Sequence, residues 1–319
     1  MNQSSFNVLR SAVLAPGTII TNLTLLLIAI IIGFEGNEKV DCFLVQRRDL
    51  RKVPHFLLAS LAVNGIISSV FSLPSRLAML AFVGLGRIDY AKPAFYIMIS
   101  SSFLCAVVNS VTLSLMAIDR QDCVLCPFNR RMTPGNMKFM IAGKWIGALF
   151  LTSIKFFIVL FDPSTLSPET FFSKLSDLKH KPIFICYIMG KVINVFTLII
   201  VIVTAIRVIK TIRSSTLPDA ASLHRRQENK LTWLTYNISG VCVACWVPQF
   251  ICAGLLASDF DRDVVVNAMV IISTIGHYNY VLNPLVYRDI LNRKGNNVAR
   301  QANRRSVLTG VSAPSCTQE

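Results

Sequence analysis

The sequence predicts an all-α membrane protein, a bundle of seven transmembrane helices with the N-terminus outside and the C-terminus inside. Three observations support this prediction. Hydrophobic residues make up 53% of the 319 residues and charged residues only 15%, whereas a soluble domain carries roughly 25% charged residues. Seven segments are apolar over about the 20 residues that a helix needs to span a bilayer. Lys and Arg are concentrated in alternate links between these segments, as the positive-inside rule describes.

Five of the apolar segments contain no Lys, Arg, Asp or Glu, and they are residues 11–34, 53–75, 93–118, 231–258 and 264–287. The other two segments, 145–161 and 182–206, are interrupted once each, by Lys155 and Lys191. The first segment is longer than the roughly 7–15 apolar residues of a signal peptide, so we expect it to be retained as a span. The predicted organisation is an extracellular N-terminus over residues 1–13, a seven-helix domain over 14–287, and a cytoplasmic amphipathic segment and tail over 288–319.

The charge distribution sets the predicted orientation. With the N-terminus outside, the inside links and the tail hold 20 Lys and Arg residues, and the outside segments hold seven. The formal net charge of +15 is then mostly a cytoplasmic face beside anionic membrane lipid. This explanation needs no nucleic-acid partner.

Polar and proline landmarks recur inside the apolar segments at characteristic separations. They include Asp119-Arg120 at the end of the third segment, Trp145 in the fourth, Trp246-Val247-Pro248 in the sixth, and Asn283-Pro284-Leu285-Val286-Tyr287 in the seventh. Asn37 stands 28 residues before Gly65, Arg120 stands 25 before Trp145, and Pro248 stands 36 before Pro284. In order and spacing, over about residues 18–294, this set resembles the rhodopsin-like (class A) G-protein-coupled receptors.

The resemblance implies a plasma-membrane receptor that transmits an extracellular ligand to a heterotrimeric G protein through outward movement of the sixth helix. The implied activation switch consists of Asp119, Arg120, Glu228, Trp246, Pro248, Asn283, Pro284 and Tyr287. The implied G-protein contacts are Arg120, Pro127 and Phe128. Glu228 lies 20 residues before Pro248, or roughly 30 Å of helix, which is near the level of Arg120. The alternative is an interfacial salt bridge worth about 1 kcal/mol or less.

Two of the departures from the family pattern concern a sodium site and a disulfide. Gly65 stands where the family usually carries an Asp that holds sodium, so we expect sodium to bind poorly. Four asparagines could instead form a neutral polar cluster: Asn64, Asn109, Asn279 and Asn283. None of the nine cysteines lies in a predicted outside loop, so the usual disulfide between the third span and the second outside loop is not expected.

Candidate ligand-pocket residues are Arg76, Ser102, Lys155, Lys191, Trp246 and His277. Ser102 stands where amine receptors carry an Asp, and His277 stands where opsins carry the retinal-binding Lys. Neither a typical amine nor covalent retinal is therefore expected. Ionisable residues in spans usually face the interior, although long cationic side chains also reach outward to the lipid headgroups. If two or more of these cations face inward, an anionic or lipid-acid ligand is favoured.

The termini carry candidate modification sites. Asn2-Gln3-Ser4 is an N-glycosylation sequon. Ser306 follows Arg304-Arg305 as in a basophilic kinase site, and a phosphorylated tail could recruit arrestin; an unmodified disordered tail is the alternative. No enzyme chemistry, cofactor or metal site is expected. A seven-span transporter or channel, and an atypical receptor that traffics without G-protein coupling, are the other interpretations.

Overall fold

The computed structural model describes residues 14–46, 53–126, 129–161, 182–214, 222–255 and 264–286. These ranges form seven helices, which are α1 Pro16–Gln46, α2 Val53–Gly84, α3 Ile88–Leu125, α4 Pro134–Phe161, α5 Pro182–Ser214, α6 Ser222–Leu255 and α7 Val264–Val286. Each contains a stretch long and apolar enough to cross a membrane. The predicted seven-helix fold is confirmed.

The helices differ in how deeply they are buried. In their most apolar windows, α2 and α3 are 61% and 56% buried inside the bundle, whereas α4 is only 11% buried. Large apolar side chains such as Phe139, Phe150 and Phe161 point outward from α4. In a bilayer this outward face contacts lipid, since apolar helix surfaces need no protein partner there. Helices α2 and α3 are consequently the most deeply buried, and α4 is peripheral.

Helix α1 packs against α2 and α7 through small residues. A Cβ atom at Gly36 would lie 3.1 Å from Cβ of Pro284, and one at Gly33 would lie 2.7 Å from Oγ of Ser69. Asn37 Nδ2 donates to the Gly33 carbonyl at 2.7 Å and to the Tyr280 carbonyl at 3.1 Å. Small residues of this kind let helix backbones approach closely inside membranes.

Helix α2 is irregular at its middle. A π-helical segment, Ser68–Ser72, separates the α-helical halves Val53–Ile67 and Leu73–Gly84. Pro74 lies two residues after this segment, and its missing N–H removes one helical hydrogen bond. A π turn accommodates about one extra residue, which rotates the following half by roughly 100°. Ser72 and Arg76 face the interior of the bundle, at 0% and 2% exposure.

Most helices extend beyond the apolar segments that predicted them, and α1 and α4 do so by the greatest lengths at one end. Helix α1 continues to Gln46 rather than ending near residue 34, and α4 begins at Pro134 rather than near residue 145. The apolar pattern marks only the part of a helix that crosses hydrocarbon, whereas the helix itself continues into the interface. Lys144 consequently lies inside α4, where it is 7% exposed.

Candidate functional site

Arg120 lies near the end of α3 and is almost completely buried. Arg120 and Asp119 are each 1% exposed. Arg120 Nε donates to Asp119 Oδ2 at 3.1 Å, and Arg120 Nη2 donates to the same oxygen. Met116, one turn earlier, packs in the same apolar cluster as Leu234 and Ile238 of α6. Helix α6 therefore lies against α3 beside Arg120; this end of the bundle is called the Arg120 end.

Several predicted switch and contact residues lie outside the description. The backbone of Glu228 belongs to α6 but its side chain lies outside the described residues, as do Pro127, Phe128 and Tyr287. The contact of Glu228 with Arg120, and the binding of the G protein to Pro127 and Phe128, therefore stay predictions. Asn2 and Ser306 also lie outside the described residues.

Sequence reasoning missed an ion pair next to Arg120. Arg131 Nε lies 3.0 Å from both carboxylate oxygens of Asp122, and Arg131 Nη2 lies 2.5 Å from Oδ1. The Asp122 side chain is 5% exposed and the Arg131 side chain 64% exposed. The hydrogen bond and the negative charge of Asp122 raise the pKa of Arg131 above its ordinary value. The pair ties the link that follows α3 back to α3.

The same link is fixed to the start of α4. The backbone N–H of Thr133 donates to Asn136 Oδ1 at 2.8 Å, and the backbone N–H of Asn136 donates to Thr133 Oγ1 at 3.4 Å. Asn136 Nδ2 donates to the Arg131 carbonyl at 2.8 Å. Reciprocal bonds of this kind cap a helix N-terminus. Met132 and Met137 are buried beside them, so residues 130–137 are held against the bundle.

The middle of the bundle contains the four asparagines expected to form a polar cluster. Asn64, Asn109, Asn279 and Asn283 are all at most 1% exposed. Asn64 Nδ2 donates to the Cys105 carbonyl at 3.1 Å, and Asn109 Nδ2 donates to Cys242 Sγ at 3.6 Å. Within the described chain, no hydrogen bond joins two of the four. They share a buried region without bonding directly to one another.

Steric crowding explains why a glycine is found at position 65. A Cβ atom at this position would overlap the side-chain amide of Asn37. That amide is fixed by its two bonds to carbonyls of α1 and α7. Asn37 therefore occupies the space that a larger side chain on α2 would need.

Lys144 of α4 is a buried cation that sequence reasoning missed. Its Nζ donates to Ser60 Oγ at 2.5 Å and to Thr112 Oγ1 at 2.7 Å. Trp145 Nε1 donates to the same Ser60 oxygen at 3.2 Å. Lys144 thus joins α2, α3 and α4 through neutral hydroxyls, and Trp145 takes part in the same junction.

Arg76 lies at the opposite end of the bundle, called the Arg76 end. Its Nε donates to Thr274 Oγ1 at 3.2 Å and its Nη2 donates to the Val270 carbonyl at 3.2 Å. Thr274 Oγ1 in turn donates to Asn22 Oδ1 at 2.6 Å. The amide of Asn22 therefore links α1 to this network.

A second chain of hydrogen bonds runs beside Arg76. The hydroxyl oxygens of Ser72 and Ser102 are 2.5 Å apart, and Ser102 Oγ is 3.3 Å from His277 Nε2. His277 Nδ1 is 2.8 Å from the Ser273 carbonyl. A carbonyl only accepts, so Nδ1 carries the proton. In the neutral imidazole Nε2 then accepts from Ser102, whose oxygen accepts from Ser72. We call these two chains together the Arg76 network.

The remaining predicted pocket residues lie elsewhere. Lys155 Nζ is 4.4 Å from the ring centroid of Phe103. Lys191 Nζ is 3.5 Å from Gln249 Oε1 and 4.9 Å from the ring centroid of Phe250. Trp246 packs in the apolar cluster toward the Arg120 end. The structure thus brings Arg76, Ser102 and His277 together, and directs Lys155 and Lys191 toward neighbouring helices rather than only outward.

The part of the chain that the structure describes contains no group of three or more His, Cys, Asp or Glu side chains placed to hold a metal ion. Seven cysteines in that part are free thiols: Cys42, Cys105, Cys123, Cys126, Cys242, Cys245 and Cys252.

Comparison with known proteins gives one family and several relatives. A family model described as "7 transmembrane receptor (rhodopsin family)" matches residues 36–287. The chain is 24% identical to neuropeptide Y receptor type 2 of Mus musculus over 274 residues, which cover 81% of this chain and 70% of that receptor. It is 29% identical to the RYamide receptor of Drosophila melanogaster over 117 residues, 36% of this chain and 24% of that receptor. It is 27% identical to 5-hydroxytryptamine receptor 1A-beta of Takifugu rubripes over 154 residues, 48% of this chain and 36% of that receptor.

Proposed function

Because the chain belongs to the rhodopsin family of seven-transmembrane receptors, we propose that it binds an extracellular peptide and transmits that binding to a heterotrimeric G protein. In this proposal the N-terminus and the Arg76 end are extracellular, and the Arg120 end is cytoplasmic. Binding at the Arg76 end moves the cytoplasmic part of α6 outward, which makes Arg120 accessible to the G protein.

Family membership itself is established and carries several conclusions. The resemblance predicted from motif spacing is confirmed. The chain is a G-protein-coupled receptor, a multi-pass protein of the plasma membrane, and not an enzyme. Membership also sets aside the transporter and channel interpretation. The atypical receptor that traffics without coupling is the alternative that the experiment below addresses.

Two features favour a peptide over an amine. Neuropeptide Y receptor type 2 and the RYamide receptor, whose names give peptide ligands, are among the relatives, and the first matches 81% of this chain. The amine receptor among them matches 48%. At Ser102, where amine receptors carry an Asp, the chain has a hydroxyl bound to Ser72 and His277. A protonated amine would find the Arg76 guanidinium, a like charge, in the same network.

The contacts of α6 support the proposed movement. Pro248 lies inside α6 and cannot donate to the carbonyl of Ala244, four residues earlier, so it weakens the helix at that point. On the Arg120 side of Pro248, Leu234 and Ile238 contact α3 through apolar packing. Apolar contacts separate without leaving unpaired polar groups. The weakened helix at Pro248 and this apolar contact together favour an outward swing of the segment between Pro248 and the Arg120 end.

The first experiment measures ligand-free nucleotide exchange on a purified heterotrimeric G protein, in membranes with matched receptor density. Arg120→Ala should abolish exchange because it removes the group proposed to meet the G protein. Glu228→Ala should raise exchange, since it removes the proposed acidic restraint. Arg87→Ala is the matched control, because Arg87 is exposed at the other end of the bundle. Exchange that is unchanged in Arg120→Ala would contradict the proposal.

The second experiment addresses the class of ligand. Cells that express the receptor are exposed to neuropeptide Y, to RYamide peptides, and to serotonin, with the same G-protein readout. A response to a peptide that disappears in Arg120→Ala supports the proposal. A response to serotonin alone contradicts the peptide assignment while leaving receptor function intact.

A further inference from the structure

Arg76 is a permanent positive charge buried among neutral groups. Its side chain is 2% exposed, and a guanidinium does not lose its proton in proteins. The ion pairs among the described residues do not include Arg76. Its hydrogen-bond acceptors are a hydroxyl and a backbone carbonyl, Thr274 Oγ1 and the Val270 oxygen. The site has one full positive charge and no described negative charge to balance it.

The apolar surroundings of Arg76 make an unbalanced charge energetically costly at this position. Leu73, Met79, Leu80 and Val270 are buried in the apolar cluster at this end of the bundle. A buried ion without a counter-charge is strongly destabilising in such surroundings, because neutral hydrogen bonds do not replace full hydration. Snorkelling to the lipid headgroups is excluded for Arg76, since its guanidinium is bonded to α7 inside the bundle. Ionisable residues that face a bundle interior mark functional sites by default.

The neighbouring groups cannot supply the missing charge. His277 donates through Nδ1 to the Ser273 carbonyl and accepts at Nε2 from Ser102. Ser102 and Ser72 bond each other. Thr274 is shared with Asn22. None of these polar neighbours carries a negative charge, and each is already hydrogen-bonded within the Arg76 network.

The geometry of the guanidinium indicates which edge remains available. Nε and Nη2 form its side edge, and both donate to α7. The end edge consists of Nη1 and the second N–H of Nη2, and Nη1 donates to none of the described residues. Two parallel N–H groups on one edge match the two oxygens of a carboxylate. One charge balances a monoanion, whereas a phosphate dianion would need a second cation at the same place.

We propose that Arg76 is the binding site for a carboxylate of the receptor's ligand, which pairs with the end edge of the guanidinium between α2, α3 and α7. This inference rests on the proposed function, because it names a chemical group of the ligand that the receptor would bind. The π-helical segment Ser68–Ser72 is the structural cause, since it turns Arg76 away from lipid and toward α7. A peptide presents such a group as its C-terminus or as an Asp or Glu side chain.

The test uses a carboxylate and its neutral isostere as probes. Thermal unfolding of the purified full-length receptor in detergent is measured with increasing phenylacetate or phenylacetamide at constant ionic strength. Phenylacetate should raise the midpoint by about 3 °C once it exceeds its dissociation constant about tenfold, and phenylacetamide should raise it much less. Equal responses to the two probes would overturn the proposal. So would full stabilisation by sodium chloride alone, because the occupant would then be an inorganic ion.

Variants at Arg76 locate the effect. Arg76→Met retains an unbranched side chain without charge, so it should lose the difference between the probes and unfold at a higher midpoint without probe. Arg76→Lys keeps the charge but not the two-donor edge, and should bind phenylacetate at least tenfold more weakly; it serves if the Met variant does not fold. Arg87→Met is the control and should respond as the wild type does. A carboxylate response that persists in both Arg76 variants would overturn the assignment.

The readout separates this inference from the proposed function. Nucleotide exchange in the wild type and in Arg120→Ala reports coupling without altering Arg76. Normal coupling with no preference for the carboxylate refutes only the Arg76 site. A clear carboxylate preference with no coupling refutes only the proposed function.

Discussion

The ion pair between Asp122 and Arg131 allows a direct test of how the link after α3 is held. We expect Arg131→Ala to destabilise the receptor measurably, because it leaves the Asp122 carboxylate, 5% exposed, without its two-nitrogen partner. Hydrogen bonds to charged groups contribute about 1.5–3 kcal/mol, and exposed ion pairs about 0.2–1 kcal/mol. Arg131 itself is 64% exposed, so solvent screening reduces the effect to about 1–2 kcal/mol. That corresponds to a fall of about 2–4 °C in the unfolding midpoint.

The assay is a double-mutant cycle in thermal unfolding of the detergent-purified receptor. Its members are wild type, Arg131→Ala, Asp122→Asn and the double variant, and the expected coupling energy is about 1 kcal/mol. Arg130→Ala is the matched control, because the neighbouring Arg130 donates to a neutral sulfur, Cys123 Sγ, at 2.7 Å. It should change stability by less than about 0.5 kcal/mol. Equal effects of the two arginine variants, or effects of Arg131→Ala and Asp122→Asn that simply add, would refute the reasoning.

The same pair has a defined pH dependence. Asp122 raises the pKa of Arg131 above its ordinary value. A base whose pKa rises on folding contributes stability that is complete below its unfolded pKa and is lost as the pH rises through the folded pKa. The arginine side of the pair therefore stays fully charged across the neutral range. The difference between wild type and Arg131→Ala should be constant between about pH 6 and pH 9.

Three further predictions concern the interior and the cysteines. The unfolding midpoint of the wild type should be the same in sodium chloride and choline chloride, and a sodium effect there would contradict this account. Gly65→Asp alone should destabilise the receptor, because the new side chain overlaps Asn37. Only Gly65→Asp combined with Asn37→Ala should make the midpoint depend on sodium. Lys144→Met should unfold within about 2 °C of the wild type, whereas Ser60→Ala should lower the midpoint by about 4 °C because the buried ammonium loses an acceptor. A larger loss in Lys144→Met than in Ser60→Ala would be evidence against the role given to the Ser60 hydroxyl. Surface expression and G-protein response should survive mild extracellular reductant, because no cysteine pair is expected in the outside loops. Loss of the response with an intact G protein would show that an extracellular disulfide exists.

The sequence was sufficient for the fold because the bilayer imposes it. Every backbone polar group in hydrocarbon must be bonded within the chain, so seven long apolar segments can only be helices. Length and composition then locate the spans without any information about their packing. The family followed from residues with strict mutual spacing, such as Arg120 before Trp145 and Pro248 before Pro284.

The site was harder to predict because the apolar pattern does not reveal which face of a helix is buried. A span is apolar on its lipid face and on its protein face, so periodicity does not distinguish them. Arg76 faces inward from the half of α2 that follows the π-helical segment, and the apolar pattern of the segment 53–75 does not indicate how that half is rotated. Lys144 was assigned to no site because it precedes the apolar segment 145–161. Its burial depends on hydroxyls of two other helices, Ser60 and Thr112.

The polar contacts also bear on which helix can move. Helix α2 is joined to α3 by a hydrogen bond at Asn64 and by one at Ser72, and α2, α3 and α4 share the Lys144 junction. Most of these bonds are buried, so separating the helices would leave unpaired polar groups in hydrocarbon. Between α3 and α6, Asn109 Nδ2 donates to Cys242 Sγ at 3.6 Å, a long contact to a weak acceptor. Movement of α6 against a fixed unit of α2, α3 and α4 would leave the bonds within that unit intact, which is consistent with the proposed outward swing.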